Sequence, residues 1–540
     1  MIRPKHLAIS LSLANLCFVF YWHGYREDPF YRQQPDTADN LAVMADVLLL
    51  GLAFWGFYTL ARLSQRRFVL EASRWAFVLV LLIPFMTLRK EIPALGTDKL
   101  LTYLTKTELI IVCGIMVTVS AWVVVRWRRR IIPALALLVL LLFPFTFFTF
   151  GGVLTKWFSE RSAVWSGTDP STPSPSTSAP SRRRVLWMIF DEMDERLTFI
   201  DRPRGLRLPE IDRLRDESLW ASNAFPPAGD TLLSMPSLIN GRIVTRAKPQ
   251  GTRDLLLTYE GDEQTVNWRN TANVFSRARG LGYKTAVVGW FHPYDRVIRS
   301  SLDFCQFFPL DYPDSDLPFF SRMVERMAIV PSSFRPLDLL HWLNPIGLSE
   351  DRTHALGHIK TYQAFREAAL PVATNRDFDL ILLHWPIPHM PYIYSRSRGD
   401  FDSSGRANYV DNLALVDRTF RELRQAMKAA GVWDSTTVLL SADHWDRNSR
   451  LVDRKSDRRV PFLLKLAGQT TRLDYNRRFD TVATHDLILS ILRGELQDPE
   501  SVARWLDQRS DPNPFAGFDP ASPRPGMKGE TAFVLKNHHP

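Results

Sequence analysis

The sequence predicts a five-helix transmembrane anchor followed by an exported α/β domain with a mostly parallel central sheet. Three observations carry that expectation. Five long apolar runs fall within the first 155 residues, and none of comparable length follows. A Pro/Ser stretch, STPSPSTSAPS at 171–181, then breaks the chain. Beyond it, short continuous apolar runs alternate with a segment of helical periodicity, the pattern of buried parallel strands joined through helices.

The apolar runs lie near residues 6–22, 41–61, 73–88, 107–126 and 131–152. A helix needs roughly 20 apolar residues to cross the hydrocarbon core. The third run is short, a mismatch that tilt and flanking charges absorb. Basic residues set the orientation. The N-terminal MIRPKH, the connection carrying Arg62, Arg66 and Arg67, and the connection carrying Arg126, Arg128, Arg129 and Arg130 belong on the cytoplasmic side. The other two connections mix signs: Arg26, Glu27 and Asp28 in one, Arg89, Lys90, Glu91, Asp98 and Lys99 in the other. Five spans with the N-terminus inside leave everything after residue 155 outside the cytoplasm. The first run alone would fit a cleaved signal peptide, but four further spans favour a retained helix.

The expected organisation is therefore an anchor over 1–155, a linker over 156–183, a catalytic domain over 184–500 and a flexible tail over 501–540. The net charge of +10 is partly juxtamembrane arginine, which indicates topology and affinity for anionic lipid surfaces rather than a nucleic-acid partner. Of the three cysteines, Cys17 and Cys113 lie in apolar runs and Cys305 stands alone in the exported region, so no disulfide forms within it. Residues 201–217 are rich in arginine and aspartate. They read as a solvated helix face with Leu206, Leu208, Ile211 and Leu214 turned inward.

Strand ends carry the chemistry. VLWMIF (185–190) runs into Asp191-Glu192, FDLILL (378–383) into His384, and TVLL (437–440) into Ser441, Asp443 and His444. Between the last two lies 408–433, with helical spacing and Gly431 as its stop. In parallel sheets ligands bind at the carboxyl ends of strands. Each element alone has a plain reading, as a polar loop, a turn or a proline-held segment. Acidic and imidazole groups ending different strands of one sheet point instead to a metal site.

These segments, in this order, resemble the alkaline phosphatase superfamily in its sulfatase-like branch, over roughly 183–495. VLWMIFDE resembles the opening strand whose terminal acid binds metal. AGDTLLSMPSLINGR (228–242) resembles the nucleophile segment, and GYKTAVVGWFH (282–292) the strand that sulfatases end with Gly-Lys-Trp-His. LHWPIPHMPY (383–392) resembles the histidine loop, AGVWDSTTVLLSADHWD (430–446) the segment ending in Ser-Asp-His-Gly, and KSDRRVPFLLKLAG (455–468) the strand after it. With the anchor, the chain resembles bacterial phosphoethanolamine transferases and lipoteichoic-acid-type glycerol phosphate transferases. Thr231-Leu-Leu-Ser234-Met-Pro236 matches the transferase pattern Thr-x-x-Ser-x-Pro, and His384 and His389 share the spacing of the transferase histidines. Three features depart from the pattern. Trp445 replaces the glycine after Asp-His, the stapling cysteines are absent, and Lys455 stands where transferases carry a histidine.

The resemblance and the residue types together imply a set of roles. A divalent metal is expected at Asp191, Thr231, Asp443 and His444, with Glu192 as alternative or additional ligand. Zinc is favoured, with manganese or calcium as alternatives. Thr231 is the expected nucleophile, activated by the metal. His389 and His384 are expected as general acid or as holders of the transferring group, and His292 and Lys455 as oxyanion contacts. Pro favours the first helical position, so Pro236 places Met235 or Ser234 at a helix cap and keeps Ser234 open as a sulfatase-type nucleophile. The Arg of the sulfatase pattern is Leu238 here. The implied function is transfer of a phospholipid-derived, phosphoethanolamine-like headgroup to a glycan or lipid acceptor of the envelope. It would occur on the periplasmic side of a bacterial cytoplasmic membrane, with membrane lipids as partners. A sulfuric ester hydrolase and a non-catalytic envelope-binding protein are the alternatives.

Overall fold

The computed structural model describes residues 4–19, 21–22, 30–31, 37–64, 66–84, 106–162, 183–250, 253–309, 318–327 and 350–509. The chain divides into two compact units that interleave in sequence. One takes 1–29, 34–167 and 313–350; the other takes 30–33, 168–312 and 351–540. Residues 30–33 thus join the second unit, and residues 313–350 join the first. The Pro/Ser stretch and residues 510–540 lie outside the described residues. Helix Phe143–Ser162 runs past the expected anchor boundary, and helix Pro499–Asp507, capped by Asp498, occupies the start of the expected tail.

In the first unit, helices Pro4–Cys17, Thr37–Leu63, Arg67–Val80, Lys106–Leu141 and Phe143–Ser162 fall on the apolar runs. Two stretches among the described residues are long and apolar enough to cross a membrane, Asp39–Leu63 and Gly114–Thr155. Two such stretches among the described residues do not confirm the five-helix anchor; the helices Pro4–Cys17 and Arg67–Val80 have 14 described residues each. The arginine cluster 126–130, expected in a connection, lies inside helix Lys106–Leu141, whose backbone breaks at Trp127 (φ −115°, ψ 22°). Ala14, Phe18, Trp22, Val43, Val47 and Val153 form the apolar interior of this unit.

The second unit is built on an eight-stranded sheet. In chain order its strands are β1 (Arg184–Asp191), β2 (Leu219–Ala221), β3 (Thr285–Trp290), β4 (Phe304–Phe308), β5 (Leu380–Pro388), β6 (Thr436–Ser441), β7 (Phe462–Lys465) and β8 (Leu473–Tyr475). Their spatial order is β8-β2-β7-β6-β1-β5-β3-β4. The five strands from β6 to β4 run parallel, and β7 runs antiparallel to both neighbours. Every residue of β1, β3, β5 and β6 is buried, as expected of parallel strands covered on both faces. The expected helix over 408–433 is Tyr409–Ala429. Asn408 closes a capping box with Asp411 at its start, and Gly431 takes the left-handed conformation (φ +66°) after its end. Helix Pro209–Asp216 buries Ile211 and Leu214, as its spacing predicts.

Phe30 and Tyr31 belong to this core although they lie between the first two apolar runs. Both are buried among the residues of the main hydrophobic cluster. Arg296 Nη1 donates to the Phe30 carbonyl at 3.2 Å. The Tyr31 ring lies 4.8 Å from that of Phe291 and 6.3 Å from that of His292.

Candidate active site

The carboxyl ends of β1, β3, β5 and β6 bring the candidate residues together. Asp191 closes β1 and is fully buried. Glu192 follows with φ +64°, and Phe291, just before His292 at the end of β3, has φ +68°. A non-glycine residue in the left-handed region is strained by about 1–3 kcal/mol and persists where the surroundings over-determine it, often at functional sites. The Glu192 and His444 amides both donate to Asp443 Oδ1, at 3.2 and 2.8 Å. This fixes the carboxylate of Asp443, just after β6, with its Oδ2 left free of these two amides.

Thr231 is the first residue of helix Thr231–Asn240. Asp230 is its N-cap, accepting from the Leu233 amide at 3.0 Å. Pro236 sits inside this helix rather than at its first position, so the cap expected at Met235 or Ser234 is displaced to Asp230. The local signal was there in Gly-Asp-Thr, since aspartate is a strong N-cap. The Thr231 hydroxyl donates to Asp191 Oδ2 at 3.3 Å and lies 3.3 Å from His444 Nε2. His444 Nδ1 is 3.0 Å from the Trp445 carbonyl. A carbonyl only accepts, so Nδ1 carries the proton and Nε2 presents its lone pair. That nitrogen is 3.6 Å from Asp191 Oδ1 and 3.5 Å from Asp443 Oδ2. Among the expected roles, Ser234 is set apart: it is fully buried and its hydroxyl donates to the Ala228 carbonyl at 3.1 Å.

His384, expected as an acid or a holder of the transferring group, is brought into the candidate metal cluster itself. Its Nδ1 pairs with the Tyr294 hydroxyl at 3.0 Å, and its Nε2 lies 4.0 Å from Asp191 Oδ2. Ligand atoms of Asp191, His384 and Asp443 all lie within 4.8 Å of one another. Asp191 Oδ1, Asp443 Oδ2, Glu192 Oε2 and His384 Nε2 are buried with no hydrogen-bond partner among the described residues. Burial, and then the charges of Asp443 and Glu192, push the Asp191 carboxyl well above the usual carboxylate range. Carboxylates confined in this way repel one another unless a cation stands among them, so the donor set fits a divalent metal.

The remaining expected residues divide. His389 is half-buried, with Nε2 4.0 Å from Glu192 Oε2. His292 is fully buried, and its Nε2 donates to the Thr231 carbonyl at 3.0 Å, so it positions the Thr231 backbone. Lys455 is 63% exposed and pairs with Asp201 at 2.8 Å; none of its contacts reaches the cluster. The expectation of an oxyanion contact there is not met, because Asp201 and Asp453 hold that loop at the surface. The cation at the site is Arg447, which sequence reasoning missed. Its Nε and Nη2 donate to Glu192 Oε1 at 3.1 and 2.9 Å. Burial raises Glu192, but the charges of His389 and Arg447 outweigh it, leaving the carboxyl below its ordinary value. Trp445 is half-buried against Gly229, with Arg458 5.4 Å from its ring.

Residues 184–493 match the sequence model of a family described as Sulfatase. No curated protein sequence matches significantly. Three solved structures are similar to the chain. The phosphonate monoester hydrolase of Agrobacterium radiobacter is 14% identical, with TM-score 0.39, covering 58% of this chain and 74% of that one. The PsFucS1 sulfatase from Pseudoalteromonas sp. is 16% identical, with TM-score 0.41, covering 58% and 69%. The phosphonate monoester hydrolase SpPMH from Silicibacter pomeroyi is 13% identical, with TM-score 0.40, covering 58% and 73%.

Proposed function

The chain belongs to the sulfatase family, and from that premise we propose that it is a metal-dependent enzyme that transfers a phosphoryl headgroup through Thr231. The observation that carries this reading is the contrast between two hydroxyls on one helix. Thr231 Oγ1 stands 3.3 Å from both Asp191 and His444, whereas Ser234 is bonded away to Ala228. The sulfatase-type alternative puts the nucleophile at Ser234, whose hydroxyl is held by the Ala228 carbonyl and not by the cluster, so the phosphoryl reading is favoured over a sulfuric ester hydrolase.

Asp191, Asp443, His384 and His444 would hold the metal, with Thr231 beside it, and the ion would lower the hydroxyl pKa and polarise a phosphoryl oxygen. The two imidazoles, one more than the sequence reading assigned to the metal, argue for zinc over calcium, which takes 6–8 oxygen ligands. Thr231 Oγ1 attacks phosphorus and its proton passes to Asp191 Oδ2. The first-turn amides of helix Thr231–Asn240 favour the negative charge that develops there. The P–O bond to the donor breaks, and His389 protonates the departing oxygen. An acceptor hydroxyl, or water, then attacks phosphorus and gives its proton to His389, while the bond to Thr231 breaks and Thr231 regains its proton from Asp191. His292 holds the Thr231 carbonyl, and Arg447 keeps Glu192 ionised.

Two apolar helical stretches, with Leu49, Leu52, Phe57 and Leu60 of the first exposed, support a multi-pass anchor in a bacterial cytoplasmic membrane with the site on its periplasmic side. A phospholipid is then the natural donor and an envelope glycan or lipid the acceptor. The test is to incubate the full chain with phospholipids and map the Thr231/Ser234 peptide by mass spectrometry. We expect a phosphoryl-linked adduct on Thr231, and a loss of at least about a thousandfold in turnover in Thr231→Ala with Ser234→Ala active. An active Thr231→Ala, or a modified Ser234, would remove the reading. A chain with neither adduct nor bound metal would favour a binding role.

A further inference from the structure

Helix Phe319–Met327 lies in the first unit and carries two faces with different partners. On one, Arg322 Nη1 pairs with Asp39 Oδ1 at 3.1 Å and Arg326 Nη2 with Asp39 Oδ2 at 3.2 Å. Arg322 and Asp39 are both buried. Met327, the last residue of the helix and seven on from Phe320, packs against the interior formed by Phe18, Trp22 and Val43, so the open stripe ends before it. The opposite face is apolar and open: Phe320 is 73% exposed and Val324, one turn on, 58%. Asp39 is the first residue of the apolar stretch Asp39–Leu63. The ion pairs therefore seat this short helix at one end of a candidate span.

We propose that helix Phe319–Met327 rests in the headgroup boundary of the lipid bilayer, with Phe320 and Val324 turned into the acyl edge. The proposal rests on the reading that Asp39–Leu63 crosses the membrane. An aspartate at a span's end is costly to desolvate alone, and two guanidiniums from one helix neutralise it. Amphipathic helices with aromatic residues on one face and basic residues on the other lie in the interface plane, where aromatic rings are enriched. Lipid rather than a partner protein is the occupant that the span end provides, because the same Asp39 begins the apolar stretch and anchors the helix.

The test uses the full chain in phosphatidylethanolamine/phosphatidylglycerol vesicles, with Cys17, Cys113 and Cys305 replaced by alanine. Nitroxides are placed by Phe320→Cys, Val324→Cys, Leu52→Cys within the span, and Glu263→Cys as the water reference. Collision with oxygen is compared with collision with an aqueous nickel chelate. We expect the oxygen-to-nickel ratio at 320 and 324 to exceed that at 263 by at least about threefold, while remaining below that at 52, as a shallow interfacial position requires. Aqueous values at 320 and 324 with a lipid value at 52 overturn the inference and leave the span intact. Aqueous values at all positions remove both. Protection of 320 and 324 from both reagents means a protein surface covers them, which also overturns the inference.

Discussion

Gly229 and Trp445 are fitted so closely that a Cβ on the glycine would lie 2.7 Å from Cη2 of the indole. Trp445 is the residue that departs from the glycine of the Ser-Asp-His-Gly pattern, and Gly229 stands two residues before Thr231, the proposed nucleophile. The departure is thus accommodated across the site, by a missing side chain on the facing loop. Gly229→Ala should cost about 1–3 kcal/mol through overpacking, and most of that cost should vanish in a Trp445→Ala background. Thermal unfolding of both single variants and the double gives the coupling. Additive effects would show that the two do not constrain each other.

Metal content separates the residues that the structure gathers from those it leaves out. Asp443→Asn and His384→Ala should each lower the metal-to-protein ratio measured by elemental analysis, because the first removes a buried ligand's charge and the second a buried ligand atom. Lys455→Ala should leave the ratio unchanged, since its side chain pairs with Asp201. Full stoichiometry in His384→Ala would return that histidine to the acid role the sequence suggested.

Much of this site is legible in the sequence because parallel strands bury both faces. VLWMIF, FDLILL and TVLL are continuous apolar runs, and the polar residue ending each had to lie at one sheet edge. Asp191, His384, Asp443 and His444 follow from that alone. The cap of the Thr231 helix was misplaced because Pro236 was assigned its favoured first position, although proline also occurs within this helix. Arg447 and Lys455 could not be ranked, because ion pairing in a loop leaves no periodic trace. Apolar runs likewise do not report where each helix begins and ends, as the arginine cluster 126–130 inside helix Lys106–Leu141 shows.

Acid should weaken the fold through histidines held neutral. His358 is fully buried against Trp290, with Nε2 bonded to the Pro386 carbonyl at 2.9 Å. Burial, and then His389, lower its pKa from 6.5 to about 3. Between those values the unfolded chain binds a proton there and the folded chain does not, so stability falls as pH drops from about 6.5 toward 3. His358→Gln should lower the pH slope near pH 5 by up to about 1.4 kcal/mol per pH unit. Thermal unfolding of the full chain at several pH values tests this. An unchanged slope would place the acid sensitivity at other groups.

The catalytic unit should depend on Tyr31, some 150 residues before its first strand. The ring is 3% exposed and packs on Phe291, the strained residue that precedes His292. His292 in turn holds the Thr231 carbonyl. Tyr31→Ala should cost about 3–5 kcal/mol, the range for deleting a buried aromatic ring, and Tyr31→Phe should cost far less because it keeps the ring. If the ring also fixes the nucleophile, Tyr31→Ala should lower kcat while leaving KM near its original value, and phenylalanine should restore both stability and kcat. A chain beginning at 182 lacks this ring altogether, so it should unfold at lower temperature than the full protein. Equal melting temperatures for the two would show that Phe30 and Tyr31 fill space without supporting the site.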